Sequence, residues 1–441
     1  MNSQKKIDFN SALETAIKLA QQYWETLGDS VIILRDLYGR IRVVLPGDKP
    51  KDTKFDNFAK ELSSKLGAYG YPPDNTMLFG NSLIEGDALF GAELTDRRLY
   101  KEENGRKIWL LDRQITGQDW GRAPFETETQ TRRFTFFGIK GGVGRSTALI
   151  VWAWWLAKQK KKNVLIFDLD LESPGTSSTL LPHLPYSTLP EYGIVDWFVE
   201  DGVGQAEMVE ESMVSRSPLA TDFPGEIRVV PAFGSNTGDY LSKLARCYRE
   251  QGGKNPASWS QRLQRMVKKI EEIEKPDVVL FDSRAGLHDI AAVLVTRMGA
   301  DTFLFALPSE QTWTAYSFLF SYWKENPQML LNFRDRLKMV AGMVPETERE
   351  QYLKRFRSRS WDLFRDHLYE EIDAKTTDAF SFDLMSEEAP HYPLIVFWNR
   401  ALQEFDPIAT DMKLDEQIIQ AAFGGFLEEA DRMLLPKGDL A

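Results

Sequence analysis

Residues 138–147 read Gly-Ile-Lys-Gly-Gly-Val-Gly-Arg-Ser-Thr, an order of residue types suited to holding phosphate. Gly138, Gly141, Gly142 and Gly144 let the chain turn tightly and aim successive backbone N–H groups, including that of Val143, at anionic oxygens. Arg145 is spaced to reach the β- and γ-phosphates of a nucleotide, and Ser146 to offer its hydroxyl to Mg2+. The helix expected over 146–158 adds partial positive charge at its start. With an apolar strand before it at 133–137, the loop has the strand–turn–helix setting that this chemistry requires. Two further segments bring carboxylates. An apolar run over 164–167 ends in Asp168-Leu169-Asp170, and another over 278–281 ends in Asp282-Ser283-Arg284-Ala285-Gly286. Carboxylates at the C-terminal edge of parallel strands, beside a phosphate loop, can hold Mg2+ and orient a water for attack. Strand alternation points Asp168 and Asp170 to one side. Asp282 is placed to contact Mg2+ through water or Ser146, and Gly286 to donate a backbone N–H near a γ-phosphate. Any one of these aspartates alone reads as a helix cap; three strand-end motifs in this order read as one site.

These groups need a framework. The chain has 441 residues, 43% hydrophobic and 12% aromatic, enough for a large core and for two or three domains. From residue 133 onward apolar strands alternate with helical patterns, the signature of βαβ units. Strands are expected at 134–138, 164–169, 227–231, 278–282, 302–307, 337–344 and 394–397, several apolar throughout, as in a sheet covered on both faces. The expected fold is therefore α/β: a mostly parallel, doubly wound P-loop sheet with helices on both faces, continuing over 133–441 with a C-terminal helical extension. Residues 1–120 read as a separate small α/β domain, with a helix through Ala12, Ala16 and Ala20, a hairpin over 31–45, a second amphipathic stretch over 55–66 and a strand at 108–111. Gly, Thr, Glu and Pro124 mark 121–132 as a linker. Trp152, Trp154 and Trp155, on the helix after the loop, are expected to pack on the sheet.

Net charge is −11, which disfavours a mainly electrostatic binder of nucleic acid or anionic membrane. A single cysteine, Cys247, excludes an internal disulfide framework and any cluster held by several cysteines of one chain. Residues 1–9 are polar, and no apolar run approaches the roughly 20 residues needed to span a bilayer. A cytoplasmic location is expected.

The loop from Lys140 to Ser146, the Asp168-Leu169-Asp170 strand end and the Asp282 to Gly286 segment resemble the ParA/MinD family of deviant-Walker P-loop ATPases (SIMIBI class). Residues 300–310 look like that family's next strand, and the resemblance covers roughly 132–345. It implies ATP and Mg2+ as cofactors and a nucleotide-sandwich homodimer. Lys140 matches the signature lysine that reaches the partner's phosphates, Ser146 the Mg2+ ligand, Asp170 the water-orienting acid, Asp282 the second acid, and Thr147 a position near the α-phosphate. Asp168 joins Ser146 and Asp282 as a candidate metal ligand. The chain departs from the family at two cations: Arg145 stands where the family has a loop lysine, and Arg284 where a proline is common. No asparagine follows 341–345, so the adenine contact is unassigned.

Within that family, missing residues remove several jobs. Iron–sulfur carriers, nitrogenase-type reductases, tail-anchor targeting factors and arsenite pumps use cysteines that are absent here. Residues 424–441 hold no tyrosine cluster of the kind seen in bacterial tyrosine kinases. The last helix, about 415–434, carries Ile419, Phe423, Phe426, Leu427 and Ala430 on one face, and Asp415, Glu416, Glu428, Glu429 and Asp431 on the other. An anionic bilayer would repel that acidic face, so packing on the domain is expected and membrane binding is not. The basic groups Lys158 to Lys162, and Lys354, Arg355, Arg357 and Arg359, read as solvated helix faces rather than a nucleic-acid surface. His288 reads as a side chain of the 282–286 region and His391 as structural. The expected function is a Mg2+-dependent switch that binds ATP, hydrolyses it slowly and signals to an unidentified protein partner through residues 1–120. Two other functions fit the same residues: a non-hydrolysing, nucleotide-dependent regulator, and a nucleic-acid-handling ATPase of a partition, genome-maintenance or defence system.

Overall fold

The computed structural model describes residues 7–83, 89–90, 97–126, 129–182, 188–250, 257–371, 379–403, 405–408 and 415–435. The chain divides into two compact units, Met1–Gln118 and Asp119–Ala441.

The first unit holds β1 (Ser30–Arg35), β2 (Ile41–Leu45), β3 (Met77–Phe79), β4 (Arg97–Glu103) and β5 (Arg106–Asp112), ordered β3-β2-β1-β5-β4. The expected hairpin is β1 and β2, paired antiparallel. Its turn is set by Asp36, whose carboxylate accepts from the backbone N–H groups of Tyr38 and Arg40. The helices Phe9–Gln22 and Thr53–Leu66 start at aspartate caps, Asp8 and Asp52, and bury Ala12, Ala16, Ala20, Phe58 and Leu62 over the sheet. β3 and β4 were not expected. β3 is three residues long, and β4, reading Arg-Arg-Leu-Tyr-Lys-Glu-Glu, is too exposed and polar to show an alternating pattern.

The second unit is built on an eight-stranded sheet. Its strands are β6 (Arg132–Gly138), β7 (Val164–Leu169), β8 (Ser215–Arg216), β9 (Ile227–Val230), β10 (Val278–Ser283), β11 (Asp301–Ala306), β12 (Leu337–Val344) and β13 (Leu394–Phe397). The order is β13-β12-β11-β6-β10-β7-β9-β8, parallel everywhere except the two-residue edge strand β8. All seven expected strands are present with ends shifted by at most two residues; β8 is too short to show a period. The chain leaves β6 toward β7 and β9, returns through β10, then crosses to β11, β12 and β13. Parallel sheets of this kind place ligand crevices at the C-terminal strand edge where the winding reverses, so β6 and its neighbours position the site.

Burial on both faces explains the continuous apolar runs: β7, β10 and β11 are buried at every residue. On one face an aromatic layer joins the sheet to the helices Arg145–Gln159 and Glu416–Met433. Phe134 meets Trp152 edge-on at 4.8 Å and Phe303 meets Phe426 at 5.3 Å. The last helix buries its whole apolar stripe, so it packs on the domain as expected. Asp431 departs from the expected solvent-facing set. It accepts from Trp152 Nε1 at 3.1 Å and Trp155 Nε1 at 2.9 Å, which satisfies two indole donors at the helix–helix contact.

The segment that opens the second unit and leads into the expected linker is packed on that unit's core. Asp119 and Trp120 are buried; Trp120 packs on Phe137 and Trp323, Asp119 accepts from Arg297 Nη1 at 2.6 Å, and the Arg297 guanidinium lies over Phe125 at 3.8 Å. Turn-rich composition near Pro124 masked a segment whose two aromatic anchors belong to the second unit's core. Among the described residues, no helix is long and apolar enough to cross a membrane.

Phe426 is fully buried and touches Phe136, Trp152, Phe303 and Phe305. Phe426→Ala is expected to lower unfolding stability by about 3–5 kcal/mol, read as a shift in the urea midpoint. A loss under about 1 kcal/mol would mean that the last helix is not part of the core.

Candidate functional site

β6 runs directly into the glycine loop. Gly142 and Gly144 sit at φ +71° and +82°, a backbone region that L side chains avoid, and Gly144 is the residue before the helix Arg145–Gln159. That conformation turns the chain from strand to helix and brings the helix start to the strand edge. Val143 is buried beneath the loop, Lys140, Gly141 and Gly142 are exposed, and Ser146 and Thr147 are half-buried. Lys140 makes no side-chain hydrogen bond or ion pair with a described residue. The end of β12 supports the loop from the side: a Cβ added to Gly342 would fall 2.3 Å from the Val143 carbonyl oxygen, so only glycine fits there. Tyr352 donates its hydroxyl to the Gly342 carbonyl at 2.9 Å, and Met343 adopts φ +52° beside Gly144. Nothing in the sequence marked these three residues, because their roles depend on β12 passing the loop.

The strand register sets the electrostatics. β10 lies between β6 and β7, with Asp282 paired in register to Asp168 on one side and Phe136 on the other. Two carboxylates at neighbouring strand ends repel unless a cation intervenes. Arg145 supplies it. Its side chain runs inward from the first turn of the helix, with Nε 2.9 Å from Asp282 Oδ1 and Nη2 3.2 Å from Asp170 Oδ2, and is 10% exposed. The planar guanidinium, with donors fixed at several points, spans two carboxylates while keeping its own orientation. The arginine expected at the phosphates therefore engages the two acids instead. Burial holds the Asp170 carboxyl above the usual carboxylate range, an effect that Arg145 partly offsets.

Asp168 behaves differently from the metal ligand expected of it. It is fully enclosed. Oδ2 accepts from the backbone N–H and the hydroxyl of Ser177, at 2.7 and 2.6 Å, and Oδ1 accepts from the Asp170 N–H at 3.3 Å. Burial, and then the charge of Asp282, pushes its carboxyl up to about 7. In this arrangement it anchors the helix Gly175–Leu180 to the sheet. Thr176, next to Ser177 in that helix, donates to Asp282 Oδ2. Sequence reasoning missed both hydroxyls, since Ser-Pro-Gly-Thr-Ser-Ser after Glu172 reads only as a turn. Gly286 is also redirected: its N–H donates to the Gly138 carbonyl at 3.1 Å, because the turn after β10 folds back onto the start of the loop.

Arg284 pairs with Glu172, on the segment after β7. Its Nη1 lies 2.6 Å from Glu172 Oε1. His288 begins the helix Asp289–Thr296, its Nδ1 accepting from the Ile290 N–H at 3.3 Å. Burial holds its imidazole below the usual histidine range, against the pull of Glu172. His391 is fully buried between Tyr369 and the Leu384 carbonyl, a structural position. The first basic stretch is largely ion-paired, and one arginine of the second is. Lys158 pairs with Glu416, Lys160 with Asp431 and Lys162 with Asp277, while Arg359 pairs with Glu310. Tyr352 and Phe356 are buried and Trp361 donates to the Phe382 carbonyl, so these rings offer no stacking platform.

The donor set fits a nucleotide and a hard cation. Loop N–H groups and a helix start suit a polyphosphate. A serine hydroxyl and one aspartate, completed by phosphate and water oxygens, suit Mg2+, which rarely takes an all-protein cage. No cluster of three His, Cys, Asp or Glu side chains poised for a metal occurs among the described residues.

Compared by sequence, the chain matches no protein-family model and no curated protein. Compared by structure, it is similar to the pNOB8 ParA bound to nonspecific DNA, with a TM-score of 0.42 and 15% identity over 68% of this chain and 98% of that one. It is also similar to the septum site-determining protein MinD complexed with Mg-ADP from Pyrococcus horikoshii OT3, at 0.40 and 17% over 69% and 97%. A Cyanothece McdA–ATP complex matches at 0.35 and 13%, over 53% and 80%. At such scores and identities, the site residues carry the functional reading.

Arg145→Met leaves Asp170 and Asp282 facing each other without the guanidinium. It is expected to cost about 3–5 kcal/mol of stability above neutral pH. Asp170, already held above the usual carboxylate range by burial, would lose the offset from Arg145, so this penalty is absent below the ordinary carboxylate range and grows as pH rises through its raised folded value. Urea unfolding at about pH 5 and about pH 8 checks the sign; an equal loss at both would exclude charge as the cause.

Proposed function

We propose that this chain is a Mg2+-dependent, ATP-binding molecular switch that hydrolyses ATP slowly, closes into a nucleotide-sandwich homodimer and passes its state to a protein partner through residues 1–120. The observation that carries the reading is the convergence of loop, helix start, Asp170 and Asp282 at the C-terminal edge of β6, β7 and β10.

In this reading the loop N–H groups and Thr147 hold the polyphosphate, and Ser146 and Asp282 hold Mg2+, which would shield phosphate charge and polarise the bond to be broken. Asp170 orients the attacking water. Burial, which favours its neutral form, makes it a better proton acceptor than an ordinary surface carboxylate once it is ionised. Lys140 is exposed at the mouth of the loop, a position from which it reaches outward toward a second copy, as the family resemblance implies. A cation contributed by the partner stabilises transferred charge only when both halves meet, which couples hydrolysis to assembly.

The grip of Arg145 on both acids favours a second reading, a regulator that binds ATP without turning it over. Nucleic acid is not favoured as a partner, because the net charge is −11 and Lys158, Lys160, Lys162 and Arg359 are already paired.

Single-turnover assays with γ-labelled ATP, with and without Mg2+, separate the two readings. Slow, Mg2+-dependent phosphate release is expected, falling about 10²-fold or more in Asp170→Asn with ATP binding retained. Tight ATP binding without release above buffer would establish the regulator instead. Lys140→Ala is expected to abolish ATP-induced dimerisation in sedimentation; an unchanged ATP-bound dimer would refute its role across the interface.

A further inference from the structure

Beside the loop, a second group of charges is held by a single carboxylate. Glu172 lies two residues beyond Asp170. Its Oε1 takes the Tyr248 hydroxyl at 2.6 Å and Arg284 Nη1 at 2.6 Å, with His288 Nε2 at 3.7 Å. Its Oε2 is buried with no hydrogen-bond partner among the described residues. A hydroxyl and a guanidinium thus converge on one oxygen, with an imidazole farther off, while the other oxygen goes unused, an uneven arrangement for a carboxylate that can accept at both.

Arg284 follows Asp282 by two residues, on the turn whose Gly286 N–H is fixed to Gly138 at the start of the loop. It is therefore tethered to the loop at one end, and its side chain remains 34% exposed. The other arginine of the site, Arg145, is committed to Asp170 and Asp282. A terminal phosphate would need cations beyond Arg145, and Arg284 is next to the place where that charge would lie. Withdrawal of Arg284 would leave Glu172 hydrogen-bonded to Tyr248 and, with its side chain 23% exposed, still in contact with water. An unpartnered charge is what normally prevents such an exchange.

We propose that Arg284 reads the terminal phosphate of the bound nucleotide, exchanging Glu172 for phosphate oxygens, and that the Glu172–Arg284 pair sets the preference for triphosphate over diphosphate. The proposal rests on the nucleotide reading above. It also links the segment after β7 to the segment after β10, so that the presence of the last phosphate changes what both segments hold.

Calorimetric titration of the full chain with ADP and with a non-hydrolysable ATP analogue, in Mg2+, tests it with Arg284→Met, Glu172→Gln and the double variant. Arg284→Met is expected to weaken the triphosphate about tenfold or more, the scale of a charge-assisted hydrogen bond, and to leave ADP within about twofold. Glu172→Gln loosens the competitor and is expected to strengthen the triphosphate about three- to fivefold, an effect that disappears in the double variant. Equal losses for both nucleotides in Arg284→Met, or an unchanged triphosphate-to-diphosphate ratio in Glu172→Gln, would overturn the proposal; the second variant decides alone if the first does not fold. If the unmodified chain binds neither nucleotide, the nucleotide reading fails and the proposal falls with it. If it binds both and the ratio does not respond, only the proposal fails.

Discussion

The guanidinium of Arg145 between Asp170 and Asp282 is the contact on which the site depends. Parallel pairing of β10 with β6 and β7 brings strand ends side by side, and with them three aspartates, Asp168 and Asp282 buried and Asp170 half-buried. Without compensation this edge of the sheet would carry a strong local repulsion. The chain relieves it in two ways: Arg145 spans two of the acids, and Ser177 and Thr176 donate hydrogen bonds to Asp168 and Asp282. The helices Arg145–Gln159 and Gly175–Leu180 are thereby fastened to the acids by charge and hydrogen bonding as well as by apolar packing. What stabilises the fold here is also what would have to rearrange for chemistry.

The rest of the second unit holds that edge rigid. The aromatic layer over β6 and β11, the indole donors captured by Asp431 and the close pass of Gly342 beneath Val143 leave the loop few alternatives. Around this rigid base the segments after β7 and β10 are tied mainly by polar contacts, through Glu172, Tyr248, Arg284 and His288. Polar ties at half-exposed positions exchange partners more readily than packed side chains do. Such a division, with a fixed cradle and exchangeable flanks, is the physical requirement for a switch.

Much of this was legible in the residues alone. Continuous apolar runs located the seven parallel strands, because a strand buried on both faces cannot be polar. The loop was legible because phosphate binding demands glycine at particular backbone positions. Other features were not. β3, β4 and β8 are short or exposed and carry no usable period. The segment at 119–125 has a turn-like composition, yet Trp120 and Phe125 anchor it to the second unit. Asp431 sat on the polar side of a helical wheel, and only its neighbours reveal that it faces two indoles.

The sequence by itself determined the chemistry available: a phosphate loop, a hydroxyl, three strand-end carboxylates and two unusual arginines, at spacings that follow from strand and helix periods. Tertiary structure decided how those groups pair. Arg145 turned to the acids, Asp168 to Ser177, Gly286 to Gly138 and Arg284 to Glu172, because each partner lies on a different element. Backbone periodicity sets which way a side chain points, but the nearest opposite charge is set by strand order and register, which are properties of the assembled sheet.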